Sequence, residues 1–489
     1  MANSTPLQKT YLFIDYRHIR CSDLEWVSPG GDRLPVADPP EPQVEAIART
    51  GFVPHGIRLV AQKARKIEPS SQSSRRGPRV IFENGLYRSW SFNVTYPPGR
   101  NLGAYSTDLP TSVEISYHES KDGFEWLNKA RCPIDVPGQR SFDGFTFFID
   151  EKGPSEERYK FVYMAVPPES ERTTLWEKYS KLHPRYRDMR LREDRFGCIY
   201  AAVSPDGIHW KPIPNPLMVH WSDTDTSVYY DFWLDKYVMY TRLYPYERRT
   251  IGRAESEYFH NWGPVTPLIW PSLHGSLSDD IYTNGRTEYP GIPDYHLMFP
   301  MVYHRWTQTS EVRLYASADG ICWNEVPGGP VITPGEPGEW DSEYIVAGKD
   351  LVPIGNDRIG IPYAGTSFPH KYPRWQSVLG AGRSTWGWWP KGRLCAVVAD
   401  EEGEFATFPV TPAGRELKLN VRTRRAGEVR VGLVGIPDRS IEDCDPIFGD
   451  DLAMPVHWKG QTDIGSKEGE KVTLHFKLRA AEIFGFEWD

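Results

Sequence analysis

Ser120-Lys121-Asp122-Gly123-Phe124-Glu125-Trp126, Ser204-Pro205-Asp206-Gly207-Ile208-His209-Trp210 and Ser317-Ala318-Asp319-Gly320-Ile321-Cys322-Trp323 are three copies of one pattern, Ser-x-Asp-Gly-x-x-Trp. A worn fourth copy, Ser256-Glu257-Tyr258-Phe259-His260-Asn261-Trp262, keeps the Ser-to-Trp distance, and a fainter fifth runs from Ser384 to Trp388 after Gly380-Ala381-Gly382-Arg383. Asp-Gly supplies the positive φ of a tight hairpin turn, Ser and Asp bond the turn's own backbone, and Trp plugs the gap to a neighbouring sheet. One copy would be a plain hairpin. Recurrence along the chain marks an array of like units.

The flanking sequence says what each unit contains. Before the turns lie Ile81-Phe82-Glu83-Asn84-Gly85-Leu86-Tyr87-Arg88-Ser89-Trp90, Tyr159-Lys160-Phe161-Val162-Tyr163-Met164, Lys236-Tyr237-Val238-Met239-Tyr240, Tyr295-His296-Leu297-Met298-Phe299 and Arg358-Ile359-Gly360-Ile361-Pro362-Tyr363, all rich in strand formers. Upstream of four of these stands a strand that opens with an acid: Asp143-Gly144-Phe145-Thr146-Phe147, Asp225-Thr226-Ser227-Val228-Tyr229, Asp280-Ile281-Tyr282-Thr283 and Glu343-Tyr344-Ile345-Val346. Each repeat therefore reads as an inner strand, a second strand and an outer pair closed by the Asp-Gly turn. Four strands repeated five times radially predict an all-β fold, a five-bladed β-propeller over residues 1–392 whose segment 1–75 is irregular. That segment carries an edge strand at residues 11–15, an inner strand near 57–61 and a linker at 70–79. After Arg393 the rhythm becomes strict alternation between short turns, from Leu394-Cys395-Ala396-Val397-Val398 to Ile483-Phe484-Gly485-Phe486, which predicts a C-terminal β-sandwich over residues 393–489. The one helix-like insertion spans residues 173–193.

Composition narrows the function classes. The 489 residues carry a net charge of −8 without a basic run, so a nucleic-acid partner is not expected. Eighteen Trp and 26 Tyr, with 42 Gly and 43 Pro, suit many strands, many turns and a wet pocket lined by flat rings. The six cysteines, Cys21, Cys132, Cys198, Cys322, Cys395 and Cys444, form no C-x-x-C pair and are expected as free, mostly buried thiols. No stretch reaches the apolar length of a membrane span, and no export signal opens the chain, so the expected setting is cytoplasmic. Phosphate-binding loops, zinc-protease helices and serine-nucleophile elbows are absent. No cofactor is implied, and nothing in the spacing demands a metal, although a structural cation fits a channel lined by acids. The sequence is silent on oligomeric state.

Inner strands of a propeller converge on one end of a central channel, so Asp143, Asp225, Asp280 and Glu343 should face one another there. Like charges in one funnel cost free energy unless a ligand, a cation or shifted pKa values relieve them. Sugar hydrolysis uses such a set, one carboxyl donating a proton and one carboxylate attacking or activating water. Glu288, in Asn284-Gly285-Arg286-Thr287-Glu288-Tyr289-Pro290, is a further candidate acid or a salt-bridge partner of Arg286. Asp143, Asp225, Glu288 and Glu343 form the candidate catalytic set. Candidate substrate contacts are Asp280, Asp231 (or a hairpin residue, like Asp150), His370 on the loop after Ser367-Phe368-Pro369, His55 at the opening of the first inner strand, and Trp306. Trp221, Trp375 and Trp386 also fall between strands and offer either sugar stacking or sheet packing.

The repeated turns, the acid-led strands and the trailing sandwich resemble the five-bladed propeller glycoside hydrolases, nearest to the invertase and fructanase group (family 32), with the arabinanase and xylosidase group (family 43) as cousins. Leu12-Phe13-Ile14-Asp15, Ile441-Glu442-Asp443-Cys444-Asp445-Pro446-Ile447 and Val456-His457-Trp458-Lys459-Gly460 are also similar to a group of bacterial hydrolase-like proteins. The resemblance implies a carbohydrate substrate and carboxylate acid/base catalysis. The Asn-Asp-Pro-Asn, Arg-Asp-Pro and Glu-Cys motifs of the invertase group are absent, so no residue role transfers by motif. A non-catalytic glycan-binding propeller, a phosphorylase and a transglycosylase remain as alternatives.

Overall fold

The computed structural model describes residues 7–20, 25–27, 33–35, 54–70, 79–95, 112–134, 143–370 and 382–489. The chain is nearly all β and divides into two compact units. Residues 64–325 and 330–388 form the larger one; residues 1–63, 326–329 and 389–489 form the other. Among the described residues there is one α-helix, Glu169–Ser180, and no helix long and apolar enough to cross a membrane. That helix starts four residues before the expected insertion and ends early, where Pro184 opens a short 3-10 turn.

The larger unit is a succession of antiparallel sheets. The first sheet runs Val80–Glu83, Leu86–Thr95, Ser112–Ser120, Leu127–Cys132. The second runs Asp143–Ile149, Tyr159–Ala165, Cys198–Ser204, Lys211–Pro212, and the third Ser227–Asp231, Lys236–Leu243, Thr250–Ser256, Thr266–Ile269. The fourth is split by a kink. Asp279–Ile281, Met301–His304 and Thr309–Val312 pair on one side, and Arg286–Tyr289, Ile292–Met298, Tyr315–Ser317 and Asn324–Glu325 on the other. The fifth joins Tyr344–Ala347 and Val352–Ile354 to Arg358–Thr366, then Arg383–Pro390, and takes its last strand, Arg65–Lys66, from the start of the unit.

The repeated turn does what its chemistry demands. In each clean copy the Ser Oγ accepts the Gly N–H at 2.9 Å, and the Asp carboxylate accepts the next two N–H groups at 2.7–2.9 Å. The three glycines have φ of 82°, 78° and 68°, where a side chain is strained. Their carbonyls then dock the preceding sheet: Trp386 donates to Gly123 O at 2.9 Å, Trp90 to Gly207 O at 2.8 Å and Tyr240 to Gly320 O at 2.5 Å. Tyr237 OH to Asp150 Oδ2 (2.9 Å) links the third sheet to the second, and Ser310 Oγ to Ile345 O (2.6 Å) the fourth to the fifth. The contacts run one to two, two to three, and so on through five back to one. The fifth repeat copy is corrected: Ser384 and Trp388 lie within a strand, not a turn, because that strand continues to meet Arg65–Lys66.

In the smaller unit, strands expected singly join into three long ones, Cys395–Ala406, Leu417–Leu433 and Leu474–Trp488, broken by bulges such as Ala399/Glu402 and Thr423/Glu428. Phe405, Phe476, Phe486 and Phe13 pack together in its core. Thr10–Leu12 pairs with the last strand. Arg58–Ala61 pairs with Cys395–Val398, so this segment belongs to the smaller unit rather than serving as a first inner strand. Its alternating Leu59 and Ala61 suit either sheet; the partner strand decides. Cys132, Cys198, Cys395 and Cys444 are free and buried and Cys322 is free and exposed, while Cys21 lies outside the described residues. Burial pushes the Cys132 thiol up to about 12.

Candidate functional site

The opening strands of the five sheets meet through side chains that reach from one to the next. Lys349, in the kink of the fifth sheet, holds its ammonium 2.9 Å from Asp225 Oδ1 and donates to Phe145 O at 3.0 Å and to Thr226 O. Asp225 Oδ2 accepts Asn284 N at 2.6 Å and Gly285 N at 2.8 Å, and Asn284 Nδ2 donates back to Asp225 O. Asp350 pairs with Arg79 at 2.8 Å, and Arg79 donates to Thr146 Oγ1. Leu351 N donates to Thr287 Oγ1 at 2.9 Å. Kinks make this possible: Asp225 and Asp350 hold φ of 32° and 69°, left-handed values that non-glycine residues adopt only where surroundings fix them. Desolvation sets the electrostatics. It lowers the pKa of Lys349 and Arg79 and raises that of Asp350. Beside Asp225 the positive charge comes from the chain itself, the Lys349 ammonium.

A second cluster surrounds His370. Its ring stacks on Tyr344 (centroids 4.6 Å apart) and meets Tyr282 and Tyr303 edge-on, with Nε2 3.3 Å from Tyr282 OH. Arg249 lies over the Tyr282 ring at 4.4 Å. Burial raises the pKa of all three tyrosines.

The expected acids do not face one another bare. Asp225 is neutralised by Lys349. Asp280 is fully buried between Arg249 (2.6 Å) and Arg305 (2.7 Å) and also accepts Arg249 N, so it braces the fourth sheet and has no oxygen left for a sugar. Glu288 is salt-bridged to Arg286 at 2.6 Å, the second of its two sequence readings. Asp231 caps its hairpin by accepting Trp233 N and Leu234 N, each at 3.0 Å, which corrects its assignment as a substrate contact. His55 is corrected too: its backbone bridges Glu404 and belongs to the smaller unit, so it does not open an inner strand of the larger one. Trp386 is buried between sheets, whereas Trp306, 88% exposed, stands at a hairpin tip. Trp375 lies outside the described residues, as does the side chain of Asp143, whose strand pairs with Met164.

Glu343 differs from the rest. Just before Tyr344–Ala347, its backbone is tied by its N–H to Thr366 O (3.1 Å) and by its carbonyl to Ser310 N (3.3 Å). Its half-buried carboxylate has no ion-pair or hydrogen-bond partner among the described residues. Sequence reasoning missed Lys349, Arg79 and the tyrosines around His370. The pair Lys349-Asp350, two charges inside an apolar stretch of sequence, was the available signal. Among the described residues no group of three or more His, Cys, Asp or Glu side chains lies close enough to hold a metal ion.

No protein-family model matches the chain, and no curated protein matches its sequence. Among solved structures, a protein titled glycoside hydrolase is 12% identical, with 68% of this chain and 92% of that one covered and a TM-score of 0.45. The exo-inulinase of Aspergillus awamori is 12% identical over 88% of this chain and 98% of its own, with a TM-score of 0.39. An N-acetylgalactosamine deacetylase from F. plautii, solved with blood group B trisaccharide, is 12% identical over 69% and 97%, with a TM-score of 0.39. At these levels the likenesses assign no activity to this chain.

Proposed function

We propose that the five sheets are the blades of a propeller whose mouth binds a glycan, and that the chain is a glycoside hydrolase with Glu343 as its acid or base. The observation that carries this reading is Glu343 itself, the one residue of the expected catalytic set with a described side chain that no cation neutralises. A free carboxyl held by its backbone can donate a proton to a leaving oxygen or take one from water. The neighbouring Tyr344–His370 stack adds flat rings beside this residue. Asp143, leading the second sheet, is the second carboxylate of this reading.

The ion pairing of Asp225, Asp280 and Glu288 favours the other reading, a propeller that binds glycans without cleaving them. The deciding experiment is a panel of aryl glycosides and oligosaccharides with wild type and Glu343→Gln. Hydrolysis by wild type that falls at least about a hundredfold in the variant supports catalysis by Glu343. Turnover unchanged by the substitution removes Glu343 from the catalytic set. Glycan binding without turnover of any substrate identifies a binding module.

A further inference from the structure

One wall of the larger unit is crowded with guanidinium groups. Around the Tyr244 ring, centroid distances are 3.7 Å to Arg190, 5.2 Å to Arg249, 5.8 Å to Arg305 and 6.0 Å to Arg242. Arg248 sits beside them, and its described hydrogen bond goes to the Asp279 carbonyl at 2.7 Å. Three carboxylates pair with this group: Asp188 with Arg190 (2.6 Å), Asp223 with Arg242 (2.5 Å) and Asp280 with Arg249 and Arg305. Asp279 is taken by His304 at 2.8 Å, and exposed Glu247 makes no ion pair among the described residues. Five cations thus meet three carboxylates.

Hydrogen bonding points the same way. The Nε–H groups of Arg242, Arg248 and Arg249 are buried and donate to nothing among the described residues, and the Arg242 side chain is only 4% exposed. Buried donors left unmade are costly, so the carboxylates of the wall do not use all of its hydrogen-bonding capacity. The rim adds flat surface. Tyr246 is exposed and, like Glu247, strained, with φ of 52° and 62°. Arg305 donates to Glu247 O, tying this loop to the tip that carries Trp306.

We propose that this arginine wall, resting on the glycan-binding reading above, binds an anionic substituent of the glycan, a carboxylate or a sulfate ester. Planar guanidinium forks match both oxyanions, and Trp306 and Tyr246 provide faces for the ring that carries the charge. The wall adjoins the candidate site, because Arg249 lies over Tyr282, whose hydroxyl is 3.3 Å from His370.

The test is calorimetric titration of the full chain with an oligogalacturonate, a sulfated oligosaccharide and a neutral oligosaccharide of equal length. Each is run at about 50 mM and about 500 mM salt, where screening differs strongly. The expected result is at least tenfold tighter binding of one acidic arm than of the neutral one, eroded by salt; the arm that wins tells carboxylate from sulfate. Arg248→Gln, which touches one carbonyl and should fold normally by circular dichroism, weakens acidic binding at least tenfold, about 1.4 kcal/mol. Trp306→Ala, at an exposed tip, weakens both charge classes alike. Equal affinity for acidic and neutral arms, or an unchanged affinity in Arg248→Gln, overturns the anion site while leaving glycan binding intact. Failure of every oligosaccharide to bind overturns the glycan reading as well.

Discussion

Replacing Lys349 with Met would remove the ammonium that joins three sheets. Its side chain is 7% exposed and that of its partner Asp225 is 12% exposed. Three bonds disappear: the ion pair at 2.9 Å and the bonds to Phe145 O and Thr226 O. Asp225 keeps two backbone N–H donors, but its charge loses the neighbouring cation. Breaking a buried pair from one side costs about 3–5 kcal/mol. Lys349→Met with Asp225→Asn leaves neither member of this pair charged, so the double variant should lose less than the sum of the single losses, by about 1–3 kcal/mol. The assay is urea unfolding of all four proteins, followed by tryptophan fluorescence, with slopes checked for equality. Alkaline pH gives an independent readout. Desolvation lowers the Lys349 pKa in the folded protein, so the unfolded chain binds that proton more tightly. Stability therefore rises with pH between the lowered value and the ordinary lysine pKa of about 10.4, and the Met variant lacks that rise. A single-variant cost below about 1 kcal/mol, or strict additivity, would refute the reasoning.

Two further outcomes are expected. His220 is buried with Nε2 2.9 Å from the Arg242 carbonyl, and burial depresses its pKa to about 4. A lowered histidine pKa contributes stability above the unfolded value near 6.5 that is lost as pH falls towards 4. The deficit of His220→Gln at pH 7 should thus shrink by about 2 kcal/mol at pH 5, and an unchanged gap in unfolding free energy counts against the neutral buried imidazole. Gly207→Ala combines φ of 78° with a Cβ only 2.9 Å from Trp90 Cζ2, whereas Gly85, at φ of 76°, has no neighbour within 4 Å. The first should lose about 2–4 kcal/mol and Gly85→Ala about 1; equal losses in thermal melts would show that the Trp90 contact does not fix the turn.

What could be read from the residues alone depended on distance along the chain. Ser204, Asp206 and Gly207 fold on each other within four residues, so their turn was legible. The acids that open the strands were found, but their partners were not. Lys349 meets Thr226 from 123 residues away, and Arg305 meets Asp280 across a hairpin whose side-chain geometry no pattern encodes. Acids aligned by repeat therefore looked like a bare cluster, when two of the four, Asp225 and Asp280, are neutralised. Leu59 and Ala61 alternate as any edge strand does, and only Cys395–Val398 shows which sheet claims them. Arg65–Lys66 was illegible for a different reason: two basic residues carry no periodicity. The Arg-rich stretch Arg248-Arg249 after Tyr244-Pro245-Tyr246 was visible as charge at a strand end, but its convergence with Arg190 and Arg305 was not.

That two-residue strand has a consequence for how the molecule is made. Thr385 bonds the carbonyl of Ile67, 318 residues earlier, and Gly387 and Trp388 pair with Lys66 and Arg65. At a synthesis rate of about 5–20 residues per second, the opening segment waits roughly 15–60 s at the ribosome before its mate emerges. A latch that waits so long benefits from being short, charged and water-soluble, and Arg65 and Lys66 are exposed even after they engage. Nascent chains halted before residue 383 should therefore hold four complete sheets and part of the fifth with an unfastened end, vulnerable to proteases there until Arg383–Pro390 emerges and pairs with it.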